Sequence, residues 1–191
     1  MSTLAFALAA TIKHDGHGGV ADLLATPAEA VVWLEQHQDQ FAGVLGRPLE
    51  VGGAEAHEEL VRIRRAVRAL FARAVAPGAP SRADAHRLMD ADAALQMINQ
   101  AAGLLGTQKL VWEEGAEPTV EWAGGTADLA GAVGRSAIEF LTGPDRGRLR
   151  ACPAARCVKY FLQEDPRQLW CSASCGNRER VNRHYRKRHS G

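Results

Sequence analysis

The sequence predicts a mainly α-helical N-terminal domain that contains one small β-hairpin and is followed by a small cysteine-rich module. Three observations predict this fold class. Apolar residues recur at helical spacing over several stretches of residues 1–145. Two short β-prone runs surround a single turn within the same region. All four cysteines of the 191-residue chain lie in its last segment, which indicates that residues 146–191 form a separate unit.

The N-terminal domain opens on the apolar run LAFALAAT at residues 4–11, which we interpret as a buried segment. A secretory signal peptide carries Lys or Arg before its apolar run, and neither precedes it here. Thr26 and Pro27 are typical of the N-cap and first turn of a helix, which is expected to reach about His37. The glycine-rich stretch 43–53 is typical of a loop.

Two longer amphipathic helices are expected next. Apolar residues recur at helical spacing over residues 54–76, and four arginines lie largely off that apolar stripe: Arg62, Arg65, Arg68 and Arg73. The segment PGAPS at residues 77–81 is expected to end this helix. A second amphipathic pattern then extends from Leu88 to Leu105.

The rest of the N-terminal domain is predicted to be a hairpin and a last helix. The runs KLVWEE (109–114) and PTVEWAG (118–124) are β-prone and flank a turn that contains Gly and Pro. A helix is expected over residues 126–141. The segment GPDRGR (143–148) is a plausible joint to the C-terminal module.

The charge of the chain is distributed unevenly. The net charge is only +1 at pH 7, yet residues 150–191 carry +7, with ten Lys or Arg and three acidic residues, against −6 for residues 1–149. This asymmetry indicates a polyanion-binding module on an acidic domain. No apolar run approaches the length of a membrane-spanning helix, so no membrane partner is expected.

The cysteines form two close pairs, Cys152 with Cys157 and Cys171 with Cys175. Two pairs joined by a short connector are the arrangement that a tetrahedral zinc site requires, so we interpret all four as zinc ligands. Four thiolates leave no open coordination position, so the zinc is expected to be structural. A module this small, with few apolar side chains, needs such a metal or disulfides to fold.

A redox switch and disulfides remain open as alternative uses of these thiols. The expected location is the reducing cytoplasm, which argues against disulfides. A thioredoxin-like redox centre requires a C-x-x-C spacing, whereas the spacings here are C-x4-C and C-x3-C.

The connector between the two pairs predicts two short strands, at residues 158–162 and 168–170, around the polar turn EDPR. Cys175 then lies in the first turn of a C-terminal helix, where amide dipoles favour a thiolate. The loop that carries Cys152 and Cys157, here called the knuckle, is followed by a hairpin and then by a helix. This order of elements predicts a treble-clef-like zinc finger.

The segment RACPAARCVKYFLQEDPRQLWCSASCGNRERVNRHYRKR resembles the CGNR zinc-finger family, whose name-giving motif is Cys175-Gly176-Asn177-Arg178 in this chain. The preceding Trp170-Cys171-Ser172 also matches the pattern of that family. Residues 1–145 resemble the α-helical ABATE domain that usually precedes this finger, through the segments LLATPAEAVVWL, LVRIRRAVRAL and LQMIN. The resemblance implies a zinc-binding, stress-induced bacterial transcription regulator whose finger binds DNA.

The C-terminal helix has a basic side and an apolar side. On a helical wheel Val181 and Tyr185 form the apolar side, which is expected to pack against the finger. The opposite side carries the residues that we predict to contact DNA: Arg180, Arg183, Arg186 and Lys187. Such a surface suits phosphates and can enter a major groove. A solvated charged surface or a protein contact is the alternative interpretation.

Asn177 and Arg178 lie close to the expected metal, so we interpret them, together with Trp170, as structural supports of the finger. One finger makes few DNA contacts, so a homodimer formed through the N-terminal domain is a further possibility. The same domain is also a candidate for binding a small-molecule effector.

The segment around His14, Asp15 and His17 offers three ligand-type side chains, and we weigh a metal or ligand site there against an ordinary loop. No pairing of a nucleophile with a base is recognisable, so no enzyme is expected. The leading hypothesis is a cytoplasmic zinc-finger transcription regulator whose helical domain senses a ligand or partner. The alternatives are a zinc-stabilised interaction module without DNA affinity, and a ligand-binding or enzymatic domain with a zinc-stabilised tail.

Overall fold

The computed structural model describes residues 3–15, 19–50, 53–75 and 84–189, and within them the chain is mainly helical, as predicted. The N-terminal domain contains helices α1 (Leu4–Ala9), α2 (Pro27–Gln36), α3 (Gln38–Leu45), α4 (Gly53–Ala74), α5 (Ala91–Gly103) and α6 (Asp128–Thr142). Its antiparallel hairpins are β1 (Ile12–His14) with β2 (Val20–Asp22), and β3 (Thr107–Val111) with β4 (Thr119–Ala123). The C-terminal module contains β5 (Leu149–Ala151), β6 (Tyr160–Leu162) and α7 (Ala173–His189).

Helix α6 lies at the centre of the N-terminal domain and packs against α1, α3, α4 and α5. Its contact with α5 is close enough to require glycine: a Cβ atom on Gly134 would lie 2.6 Å from the backbone nitrogen of Ala102. The opening segment is buried, as predicted, because Leu4 and Leu8 of α1 enter the shared core. The backbone N–H of Ala5 also donates to the Ser136 hydroxyl of α6, over 3.1 Å.

Several element boundaries differ from the sequence-based expectations. The capping box at Thr26 and Glu29 begins α2 as predicted, but α3 was not predicted and the loop after it starts only at Gly46. The second amphipathic helix begins at Ala91 and not at Leu88, because the Asp90 carboxylate accepts the N–H groups of residues 92 and 93. The predicted turn at residues 77–81 lies outside the described residues.

The expectation that the arginines of α4 lie away from the core is wrong for Arg68, which is 3% exposed. Its guanidinium donates to the carbonyl of Ala9 in α1, to the carboxylate of Asp84 and to the carbonyl of Val158 in the C-terminal module. It also lies over the ring of Tyr160 in β6, 5.1 Å from the ring centre. Helix α4 therefore joins the N-terminal domain to the C-terminal module through one buried cation.

The two parts of the chain also share apolar surface. Leu149 of β5 and Tyr160 of β6 belong to the same core as the helices of the N-terminal domain, and the Tyr160 ring meets Phe71 of α4 edge-on. A second, smaller core gathers around the cysteines. Among the described helices, none combines the length and apolar composition required to cross a membrane.

We predict that Arg68→Met lowers the free energy of unfolding by about 3 to 5 kcal/mol, because it removes the cation that is paired with the fully buried carboxylate of Asp84. Denaturant unfolding of the full-length protein measures this change. The matched control is Arg62→Met, on the exposed side of the same helix, with an expected change within about 0.5 kcal/mol.

A double variant separates the loss of the ion pair from a general packing defect. Arg68→Met with Asp84→Leu removes the stranded charge, so it should be more stable than Arg68→Met alone. Equal unfolding free energies for Arg68→Met and Arg62→Met would contradict the assigned role of Arg68.

Candidate metal centre

The first cysteine pair lies in a tight loop that connects β5 to β6. Cys152 directly follows β5, its N–H donates to the carbonyl of Lys159 over 2.9 Å, and the N–H of Cys157 donates to the carbonyl of Ala154 over 2.9 Å. Arg156 takes the left-handed conformation, with φ of 62°, that closes the turn. The loop therefore directs both sulfur atoms to one side.

The predicted strand pairing in this module was partly wrong. Residues 160–162 form a strand, but its antiparallel partner is β5, at residues 149–151, and residues 168–170 are not a strand. The hairpin thus encloses the first cysteine pair and not the EDPR turn. The reason is tertiary, because β5 and β6 carry Leu149 and Tyr160, which the core of the N-terminal domain buries.

The second cysteine pair lies at the start of α7. The Ser172 hydroxyl accepts the N–H of Cys175 over 3.3 Å, which caps the helix and places Cys175 in its first turn, as predicted. The ring of Trp170 packs against Gly176, where an added Cβ atom would lie 3.3 Å from the ring. Trp170 therefore holds the N-terminal end of α7 against the segment that precedes it.

The four sulfur atoms fit a tetrahedral metal ion. All lie within 4.8 Å of one another, and the Sγ atom of Cys171 lies 3.8 Å from that of Cys157 and 3.6 Å from that of Cys175. Zinc bound to four sulfurs at about 2.3 Å requires sulfur–sulfur separations of about 3.8 Å. An all-thiolate set suits zinc and not the oxygen-binding ions calcium and magnesium. Zinc bound here would orient the knuckle and α7 relative to each other.

Protons compete with the metal for these sulfurs. The pKa of Cys152 is lowered because the thiols of Cys157 and Cys171 donate to its sulfur, as does the backbone N–H of Cys171. The pKa of Cys157 is raised because its thiol donates to the sulfurs of Cys152 and Cys171 and then because it is buried. A divalent cation takes the place of these shared protons, so zinc binding releases them.

Two further side chains contact the sulfur of Cys175. A guanidinium nitrogen of Arg178 donates to it over 3.4 Å, and the Nε2 atom of His14 lies 3.7 Å from it. Burial and then the Arg178 guanidinium lower the pKa of His14, so its imidazole is neutral at neutral pH. Such hydrogen bonds to a metal ligand reduce its charge and fix its direction.

The contact of His14 with Cys175 was not predicted, because 161 positions separate the two residues. The sequence instead groups His14 with Asp15 and His17 as a separate candidate site. In the structure the Asp15 carboxylate accepts the N–H of Gly19 over 2.9 Å, and His17 lies outside the described residues. The β1–β2 hairpin therefore reaches the metal centre from the N-terminal domain.

The other residues proposed to support the finger differ in their contacts. Arg178 is half-buried beside the metal centre, whereas Asn177 is exposed and accepts a guanidinium nitrogen of Arg180 over 2.6 Å. Glu179 also anchors the helix, because its carboxylate accepts the N–H of Ala155 in the knuckle over 2.8 Å. The acidic residue among the predicted basic residues thus faces the finger.

The residues predicted to contact DNA lie along α7. Arg180 and Arg183 are exposed, as is Arg188, which the sequence analysis did not single out. Arg186 and Lys187 lie in the same helix, and their side chains are outside the described part of the structure. The apolar side predicted to pack against the finger does not do so: Val181 and Tyr185 are 68% and 62% exposed. The part of α7 that follows Cys175 is therefore accessible to solvent on its basic side and on its apolar side.

We predict that the protein purified under reducing conditions binds about one equivalent of zinc per chain, and that Cys157→Ser retains much less. The matched control is Ser174→Ala, an exposed position between the second pair of cysteines, which should bind zinc as the wild type does. Metal analysis together with thiol titration measures both quantities. Wild-type protein with all thiols free and well below one equivalent of zinc would contradict the site.

We predict that His14→Ala weakens zinc binding by about tenfold, because the Cys175 sulfur loses a hydrogen-bond partner. Competition with a chromophoric chelator measures the change. His184→Ala, which removes an exposed imidazole from α7, is the control and should bind zinc unchanged. Equal zinc affinities for the two variants would show that the contact of His14 does not affect the metal.

Comparison with protein-family models assigns both parts of the chain. Residues 148–188 match the CGNR zinc finger, in agreement with the four clustered cysteines. Residues 2–144 match the ABATE model, which bears the description "Putative stress-induced transcription regulator". No curated protein matches the chain. Since the ABATE match alone covers well over half of its residues, the chain belongs to the ABATE family and carries a CGNR zinc finger.

Proposed function

We propose that the protein is a zinc-dependent transcription regulator whose helix α7 binds DNA. The observation that carries this proposal is the exposure of basic side chains, among them Arg180 and Arg183, on a helix held at one end by the metal centre. The acidic side chain among them, Glu179, bonds to the knuckle. The exposed surface is therefore strongly basic.

The geometry suits a helix that lies against the phosphate backbone. Arginine side chains that neutralise phosphates release bound counterions, which supplies most of the affinity of such contacts. An arginine fork that reaches a base edge in the major groove adds sequence preference. The zinc centre would limit the motion of α7 relative to β5 and β6, and with four thiolates its role is structural and not catalytic.

The proposal also covers the oligomeric state, the cellular location and the biological role of the protein. One short helix makes too few contacts for tight specific binding, so we propose that two copies bind together through the N-terminal domain. The reduced thiols that zinc requires suit a cytoplasmic location. The description of the ABATE family supports a role in the response to stress.

A second candidate function is protein binding without DNA affinity. Val181 and Tyr185 lie one turn apart on α7, and both are largely exposed. An exposed aromatic and aliphatic pair on a helix is typical of a protein contact. The same helix therefore offers a basic surface and an apolar surface, and the two candidate functions use different ones.

We predict that the full-length protein binds duplex DNA at low salt and that Arg180→Ala with Arg183→Ala lowers the affinity at least tenfold. The slope of log K against log salt should become shallower by about 2, because two phosphate contacts are lost. Fluorescence anisotropy on a random-sequence duplex, repeated at two or more salt concentrations, measures both values.

The control for this experiment removes the same charge elsewhere. Arg62→Ala with Arg135→Ala eliminates one exposed and one half-exposed arginine of the N-terminal domain and should leave DNA affinity and salt slope unchanged. Val181→Ser with Tyr185→Ser should keep DNA binding and would disrupt only a protein contact. Absence of DNA binding by the wild-type protein at low salt would overturn the DNA proposal and leave the protein-binding function.

A further inference from the structure

A cavity of about 410 Å³ lies between the β1–β2 hairpin and helix α4, apart from the metal ligands and the basic surface of α7. Four arginines and one carboxylate line it: Arg64, Arg65, Arg68, Arg87 and Asp22. Apolar side chains of both hairpin strands and of α4 complete the wall. The cavity therefore has an excess of cations, although the net charge of residues 1–149 is negative.

The helical repeat of α4 produces this concentration of charge. Val61, Arg64, Arg65 and Arg68 occupy positions i, i+3, i+4 and i+7, so they lie on one face of the helix. Arg64 and Arg68 are 4% and 3% exposed, and arginine is rarely buried so completely. The fold therefore places cations, held in fixed positions, along this wall.

Partner contacts account for only part of the charge. Arg64 binds the Asp22 carboxylate through two nitrogens, over 2.6 and 2.7 Å, and Arg68 is paired with Asp84. Arg65 forms no ion pair within the described residues. The Nε atom of Arg68 is buried and has no hydrogen-bond partner among the described residues. The cavity thus retains the positive charge of Arg65.

We propose that this cavity binds a small organic anion that has a carboxylate or phosphate group and an apolar body. Guanidinium groups present paired N–H donors that match the oxygens of both groups. The apolar wall formed by Ile12, Val20 and Val61 suits a hydrocarbon or aromatic body. The volume exceeds that of an inorganic anion and lies in the range of small-molecule sites.

The position of the cavity also connects it to the finger. Arg68, in its wall, donates to the carbonyl of Val158, which directly follows the zinc ligand Cys157. His14, the last residue of β1, contacts Cys175. An anion bound here would therefore lie beside Arg68, which touches the C-terminal module, and against strand β1, which ends at His14.

Calorimetric titration of the zinc-loaded full-length protein tests the site with three probes of similar size: benzoate, phenyl phosphate and the neutral benzyl alcohol. We expect saturable binding of at least one anion and much weaker binding of the alcohol. The tighter of the two anions distinguishes a carboxylate ligand from a phosphate ligand. Arg65→Ala should weaken anion binding by about tenfold or more, because one charge-assisted hydrogen-bond donor is lost.

Arg62→Ala is the matched control, since it removes an exposed arginine of the same helix that does not line this cavity. It should leave anion binding unchanged. Both positions are exposed, so both variants should fold, and thermal unfolding confirms this. The proposal is overturned if neither anion binds better than benzyl alcohol, or if Arg62→Ala weakens binding as much as Arg65→Ala. The readout is direct binding, so the result does not depend on whether α7 binds DNA.

Discussion

The arrangement of the two parts of this protein depends on the buried guanidinium of Arg68. It donates to the end of α1, to the buried carboxylate of Asp84 and to the backbone beside the first pair of zinc ligands. A buried ion is tolerated only where its partners are in place. Three separate segments must therefore come together before the cation can be buried, which makes the finger an extension of the helical core.

The metal centre adds a second connection between the same two parts. Its ligands come from the Cys152–Cys157 loop, which rests on the core, and from the segment 171–175, which leads into α7, while His14 approaches Cys175 from the N-terminal domain. Hydrogen bonds from Arg178 and His14 distribute the charge of one thiolate over both parts of the chain. The orientation of α7 therefore follows from metal binding and from the fold of the N-terminal domain together.

The arginine-lined cavity and helix α7 belong to the two parts of the chain that these contacts join. Arg68 lines the cavity and donates to Val158, while His14, in the strand β1 that contributes Ile12 to the cavity, contacts Cys175. A ligand affects a distant site only if it binds two arrangements of the connection differently.

The sequence alone determined the features that depend on local spacing. Helical periodicity located most of α4, α5 and α6, the capping box located α2, and the cysteine spacing identified a four-sulfur site. Tertiary structure decided which distant segments meet. It buried Arg68 instead of exposing it, paired β6 with β5, left Val181 exposed and brought His14 to Cys175. Spacing along the chain specifies a helix face or a ligand pair, whereas contacts between remote segments arise only when the core packs.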